Sequence, residues 1–213
     1  MSSVTVVDYD CGNLLSVAQA FEHCGASVNI ARDAEDIARA ERLVLPGVGA
    51  FATAMNRLGD RDLVAPLRAY AATGRPFLGI CLGMQLLFES SLEFGHHDGL
   101  ALIPGQVVPI PHEKEDGSRR KIPHIGWAAL QKPSPDRWQG SVLAGLTEGT
   151  ALYFVHSFVG YPKIDEHRLA DVEYEGARLS AAVRRDNVVG TQFHPEKSGP
   201  EGLSLLRRFL VDD

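Results

Sequence analysis

Cys81 is the residue around which chemistry can be built. It stands in Phe77-Leu78-Gly79-Ile80-Cys81-Leu82-Gly83-Met84-Gln85-Leu86-Leu87-Phe88, where an apolar run meets glycines on both sides of the thiol. That order predicts a strand, a tight elbow and then a helix-like pattern, the arrangement that holds a nucleophile at the end of a sheet. Glycines at 79 and 83 are expected because an elbow crowds its neighbours. A thiol at a helix start also meets the N–H groups and dipole that favour thiolate. Far downstream, Val188-Val189-Gly190-Thr191-Gln192-Phe193-His194-Pro195-Glu196 reads as a strand ending in His-Pro-Glu. With one residue between them in extended chain, His194 and Glu196 project to the same side, and the carboxylate can orient the imidazole. Nucleophile, base and orienting acid are the set used to attack a carbonyl carbon through a covalent intermediate. Such attack also needs N–H donors for the developing oxyanion. The elbow offers the amide of Leu82, and the Pro46-Gly47-Val48-Gly49 loop offers a second near Val48 or Gly49.

The elements that position these groups follow from patterning. Val4 to Tyr9 is apolar without alternation, as in a strand buried on both faces of a parallel sheet. Leu14 to Cys24 has helical spacing, Ser27 to Ala31 reads as a strand, and Asp33 to Ala40 as a helix with an aspartate start. Arg42 to Leu45 is a third strand, Phe51 to Leu58 and Asp62 to Ala72 are helices, and Pro76 to Ile80 delivers Cys81. This alternation predicts an α/β fold, a doubly wound, mostly parallel sheet flanked by helices. Ligands bind such sheets beyond the carboxyl ends of strands, where both the Gly-Val-Gly loop and Cys81 fall. From Gly95 prolines become frequent, and the C-terminal half reads as β-rich and partly antiparallel, with strands at 106–110, 151–155, 169–174, 179–184 and 188–193 before a closing helix over 202–211. No linker, repeat or low-complexity tract interrupts the chain, so one domain over residues 1–213 is expected.

Composition removes several classes of function. The net charge is −6, and the longest basic run, Arg119-Arg120-Lys121, is too short to mark nucleic-acid or polybasic membrane binding. No window approaches the roughly 18 apolar residues of a membrane span. Met1-Ser2-Ser3-Val4-Thr5 lacks the basic and apolar regions of a secretory signal, which predicts a cytoplasmic protein. Three cysteines at unrelated spacings argue against a disulfide framework, and Cys11 and Cys24 read as packing residues. His96, His97 and His112 have no partner at ligand spacing, so no metal is expected.

Read together, these segments resemble the class I, triad-type glutamine amidotransferases over nearly the whole chain. Within that family the pattern is most similar to the glutaminase subunits of imidazole glycerol phosphate synthase. The narrower likeness rests on Asp8-Tyr9 with Gly12-Asn13-Leu14, on Pro46 to Phe51, on Gly79 to Gln85, and on Gly99-Leu100 with Ile103-Pro104-Gly105. It continues in Pro123-His124-Ile125-Gly126-Trp127, Tyr153-Phe154-Val155-His156-Ser157 and His194-Pro195-Glu196-Lys197-Ser198. The resemblance implies glutamine as substrate, Cys81 as nucleophile, His194 as base and Glu196 as its partner. It implies that Gly47, Gln85, His156 and Ser157 surround the glutamine, and that no cofactor is used. It also implies a heterodimer in which Asn13, His124, Trp127, Tyr153 and Lys197 face a (β/α)₈ cyclase subunit that receives the ammonia.

The chain departs from the family at Asp10, where glycine is usual, at Phe158, where tyrosine is common, and at Arg208, where asparagine is usual. Rival readings with the same triad are the glutaminases of pyridoxal-phosphate, anthranilate and GMP synthesis, and a γ-glutamyl peptidase. A binding module without chemistry would lack one of Cys81, His194 and Glu196, and all three are present.

Overall fold

The computed structural model describes residues 2–10 and 12–211, so the packing role expected of Cys11 lies outside the described residues. The inner strands of the first half are largely apolar on both faces. Strand β1 (Ser3–Val7) sends Val4 and Val6 into one apolar layer, with Val17 and Phe21 of helix α1 (Leu14–His23), and Val7 into the other. Strand β3 (Leu43–Leu45) does the same: Val44 packs to one side, Leu43 and Leu45 to the other. Period-two alternation between two buried layers is why these strands read as continuous apolar runs. Helix α2 (Ala34–Arg39) begins as its sequence predicts, with the Asp33 carboxylate accepting from the Asp36 amide at 2.9 Å. Helices α3 (Phe51–Asp60) and α4 (Val64–Ala71) cover the second layer.

Strand β4 (Phe77–Ile80) carries Cys81 at its carboxyl end and lies between β3 and the far-downstream β13 (Val188–Thr191), parallel to both. Gly79 is in register with Leu45 on one side and Gly190 on the other, and Ile80 with Thr191. The topology therefore brings three loops to one edge: 46–49 after β3, Cys81 after β4, and 192–196 after β13. Strand β2 (Ser27–Ala31) closes the parallel side next to β1. Beyond β13 the nine-stranded sheet turns antiparallel through β12 (Ala177–Arg185), β11 (Arg168–Tyr174), β8 (His124–Gln131) and β9 (Ala151–His156). Helix α6 (Gly199–Val211) packs Leu205, Leu206 and Phe209 into the layer of α1.

Three features depart from the expected pattern. The helix after Cys81, α5, covers only Leu82–Leu86. It stops because the carbonyls of Leu86, Leu87 and Phe88 accept hydrogen bonds from the amides of residues 100–103, and the chain continues as β5 (Phe88–Ser91). A five-residue helix has little macrodipole, so the dipole argument for the thiolate loses most of its weight. Second, β5 joins β6 (His97–Asp98), β7 (Ile103–Pro109) and β10 (Phe158–Pro162) in a separate four-stranded sheet. Third, the strand before His194 ends at Thr191, and Pro195–Lys197 forms a 3₁₀ turn rather than extended chain.

Candidate active site

The elbow is strained where the chemistry would occur. Cys81 adopts φ 55°, ψ −111°, a region that non-glycine residues rarely enter. Its amide donates to Thr191 O at 2.7 Å, which ties the elbow to β13. The sulfur opens into a cavity of about 450 Å³ whose walls include Val48, Gly49, Gln85, Glu93, His156, Ser157 and His194. A void of this size accommodates one amino acid.

The structure brings His194 and Glu196 together, although not by the predicted extended geometry. Within the 3₁₀ turn, His194 Nδ1 and Glu196 Oε1 are 2.7 Å apart, both side chains essentially fully buried. The Ser198 hydroxyl donates to the His194 carbonyl at 2.6 Å and accepts from the Tyr153 amide at 3.0 Å, so the turn is pinned from behind. Burial alone would lower the pKa of His194, but the nearby Cys81 sulfur and then the Glu196 carboxylate overcome it and raise it to about 10. Burial works to raise the Glu196 pKa, yet the His194 and Asn13 contacts win, and its carboxyl sits below the ordinary range. His194 Nε2, the second ring nitrogen, has no hydrogen-bond partner among protein atoms. It is the atom left to exchange a proton at the sulfur.

The signs give a pH window. A raised His194 pKa contributes stability that is complete below about 6.5 and is lost as pH rises through about 10. The depressed Glu196 contributes above about 4.5 and is lost as pH falls through its lowered value. Glu196→Gln removes one support of the imidazolium, so the His194 ring should titrate well below about 10 when followed by NMR. An unchanged titration would show that Glu196 does not hold the proton.

His124, expected on a partner face, is placed inward, and the half-buried Asn13 turns its side-chain amide toward Glu196. Asn13 has φ 78° at the start of α1 but makes no side-chain cap there. Its Nδ2 donates instead to Glu196 Oε1 at 2.6 Å, fixing the carboxylate that holds His194. His124 is buried and stacked between Phe154 and Tyr174. Its Nδ1 lies 3.0 Å from His156 Nε2, and His156 Nδ1 lies 2.8 Å from the Phe158 carbonyl. A carbonyl only accepts, so His156 carries its proton on Nδ1 and His124 donates to it. Burial holds both rings neutral, with His124 pushed down to about 4 and His156 to about 3. Trp127, by contrast, is 57% exposed with Tyr153 packed edge-on against it, and Ile125 beside it is 58% exposed. Lys197 is exposed at the end of the Pro195–Lys197 turn.

The Leu82 amide, expected as an oxyanion donor, is engaged by another group. Leu82 N–H is taken by the Gly47 carbonyl at 3.3 Å. Tyr9 Oη donates to the Pro46 carbonyl at 2.8 Å and so braces the same loop. Gly49 has φ +106°, a conformation that glycine adopts without strain.

Two site residues escape the sequence reading. Glu93 is buried in the cavity wall, accepting from the Phe51 amide at 2.6 Å, and its only signal is a carboxylate between Leu92 and Phe94. Gln192 lies under the sulfur, its Nε2 3.7 Å from Cys81 Sγ. The departures from the family pattern at Asp10 and Phe158 are also accommodated. Asp10 takes φ 61°, a value that suits glycine, and is held by Arg57 and Arg61, while Phe158 gives its carbonyl to Gln85 and packs its ring edge-on against Phe94 in the cavity wall. Cys24 is remote, its Sγ on the Leu203 carbonyl, and burial pushes its thiol up, as suits a packing residue.

The chain is similar to known proteins over nearly its whole length. The family model described as "Glutamine amidotransferase class-I" matches residues 5–212. Two solved structures, a glutamine amidotransferase (TM-score 0.71, 19% identity, 97% of this chain and 96% of that one) and PurLQS from Thermotoga maritima (TM-score 0.69, 19% identity, 99% and 98%), share the fold. The chain belongs to the class-I glutamine amidotransferase family. Within it, the chain is 49% identical over 211 residues, 99% of each chain, to imidazole glycerol phosphate synthase subunit HisH 1 of Legionella pneumophila (strain Lens). It is 46% identical to subunit HisH of Syntrophotalea carbinolica, over 97% of this chain and 98% of that one.

Proposed function

We propose that this protein is the glutaminase subunit of an imidazole glycerol phosphate synthase. The observation that carries the reading is a strained Cys81 facing His194–Glu196 in a cavity sized for one amino acid. The Cys81 thiolate attacks the side-chain amide carbon of glutamine, and the carbonyl electron pair moves onto oxygen. Leu82 N–H and an N–H of the Gly47-Val48-Gly49 loop hold that charge. Collapse expels the amine, His194 Nε2 delivers its proton, and ammonia leaves. Water then attacks the thioester with His194 as base, and collapse returns glutamate and the thiolate. No electrons are transferred to or from an acceptor, so the steps call for no redox group.

Glu93 is the one carboxylate among the described residues lining the cavity, and it matches the α-ammonium of glutamine. Gln85, His156 and Ser157 shape the surrounding wall. Glu93→Gln should raise KM by about tenfold or more with a smaller change in kcat, because the ammonium is bound equally before and during reaction. A KM equal to wild type would remove Glu93 from the substrate site.

Ammonia released into water is protonated, so its acceptor must sit over the cavity mouth. The exposed Val48, Ile125 and Trp127, with Tyr153 and Lys197, offer an apolar surface with a cationic edge for that partner. The HisH likeness points to a (β/α)₈ cyclase, and ring closure to imidazole glycerol phosphate belongs to that subunit. With Leu82 N–H capped by Gly47, the chain alone should hydrolyse glutamine slowly. One missing oxyanion donor costs on the order of 10²–10³ in rate. The test compares glutamate formation by the chain alone with that in the presence of the cyclase and its nucleotide. Rates that match with and without the partner would contradict the reading.

A further inference from the structure

The elbow sulfur rests on a buried chain of amides that the triad does not use. Gln192 has no solvent exposure and contributes no surface to the cavity. Its Nε2 is 3.7 Å from Cys81 Sγ, and its Oε1 accepts from Gln85 Nε2 at 2.9 Å. The second Gln85 N–H goes to the Phe158 carbonyl at 3.1 Å. Because that carbonyl can only accept, it sets which end of the Gln85 amide is nitrogen. Gln85 in turn presents N–H to Gln192, which sets the Gln192 amide with oxygen toward Gln85 and nitrogen toward the sulfur. His156 Nδ1 donates to the same carbonyl, so its position is doubly secured. Every amide orientation in the chain is fixed from the carbonyl inward.

We propose that Gln192 is a positioning residue, whose amide N–H holds the Cys81 sulfur as an anion aimed into the cavity. It is fully buried and outside the cavity lining, and the Phe158 carbonyl enforces its polarity through Gln85. An N–H to a charged acceptor is stronger than to a neutral one, so the contact favours thiolate over thiol. The inference rests on Cys81 being the nucleophile.

The test follows alkylation of Cys81 by iodoacetamide across pH, read by mass spectrometry of its peptide, in wild type, Gln192→Met and Gln192→Glu. His194 lines the cavity beside Cys81, backed by Glu196, and His156 and Glu93 are the other titratable groups of the cavity. None of these is changed. Methionine keeps length and loses the donor, so the alkylation curve should move to higher pH, and the rate at neutral pH should drop about tenfold. Partner-stimulated kcat should fall in parallel with KM little changed. Glutamate keeps an acceptor for Gln85 but sets a carboxylate against the sulfur, so its curve should move further. If Gln192→Met does not fold, the side-chain amide of Gln192 in the wild-type chain supplies the readout. Its NMR signals should shift when Cys81 is alkylated. Curves and kcat unchanged in both variants, or amide signals that ignore alkylation, would overturn the proposal while leaving Cys81 as nucleophile. Wild-type protein that hydrolyses glutamine with Cys81 fully alkylated would overturn both.

Discussion

Cys81→Ala should abolish partner-stimulated glutamine hydrolysis, by at least about 10⁴-fold, while synthesis from added ammonium salts by the partnered subunit continues. The size follows from the division of labour at the site. Without sulfur no thioester forms, and the His194–Glu196 pair has only water to activate. The fold should survive, because the wild-type residue already carries the positive φ and alanine adds nothing to that strain. The Cys81 amide bond to Thr191 O is a backbone bond and is kept. Glutamate release and ammonium-dependent product formation, measured on the same preparation, separate loss of chemistry from loss of structure. Residual glutaminase within tenfold of wild type would mean another nucleophile.

The second large effect is structural. Alanine at position 83 would place its Cβ 1.8 Å from the Leu45 carbonyl oxygen and 2.8 Å from its carbon. Both are backbone atoms of β3, next to the strand that carries the elbow, and neither can rotate away. Gly83→Ala should therefore cost more than about 3 kcal/mol, or prevent folding, and should separate β3 from α5. Gly59→Ala is the control. That glycine lies in α3 with nothing within 4 Å of an added Cβ, so the change should be neutral or stabilising by up to about 1 kcal/mol. Denaturant midpoints of the two variants test the contrast, and a Gly83→Ala midpoint equal to wild type would contradict the packing described at the elbow.

The parallel half of the fold was legible because its strands are apolar on both faces and its helices fall between them at 3.6-residue spacing. The elements that were missed have local reasons. Strand β10 contains Gly160 and Pro162 and reads as a turn, yet Gly160 is there because the Phe88 ring lies against it. Strand β8 puts Ile125 and Trp127 on its exposed side, so its alternation does not read as a half-buried strand. At the site, Cys81 and the His-Pro-Glu turn were legible from type and spacing alone. The pairing of His194 with Glu196 holds for a reason other than the extended chain first inferred: the 3₁₀ turn after Pro195 folds the carboxylate back onto the ring. Asn13 reaches Glu196 across 183 residues of sequence, and Gln192 reaches Cys81 across 111, so neither contact leaves a local signature. The capping of Leu82 N–H by Gly47 is likewise a contact between two loops, visible only when β3 and β4 are set side by side.

The central claim is that the Cys81 sulfur bonds to the side-chain carbon of glutamine. A glutamine-like diazo-ketone, incubated with the chain and its partner and followed by peptide mass spectrometry, traps that bond. One adduct is expected, on the peptide containing Cys81, appearing in step with the loss of glutamine hydrolysis and slowed by added glutamine. Loss of hydrolysis with the adduct on Cys11 or Cys24, and Cys81 unmodified, would contradict it.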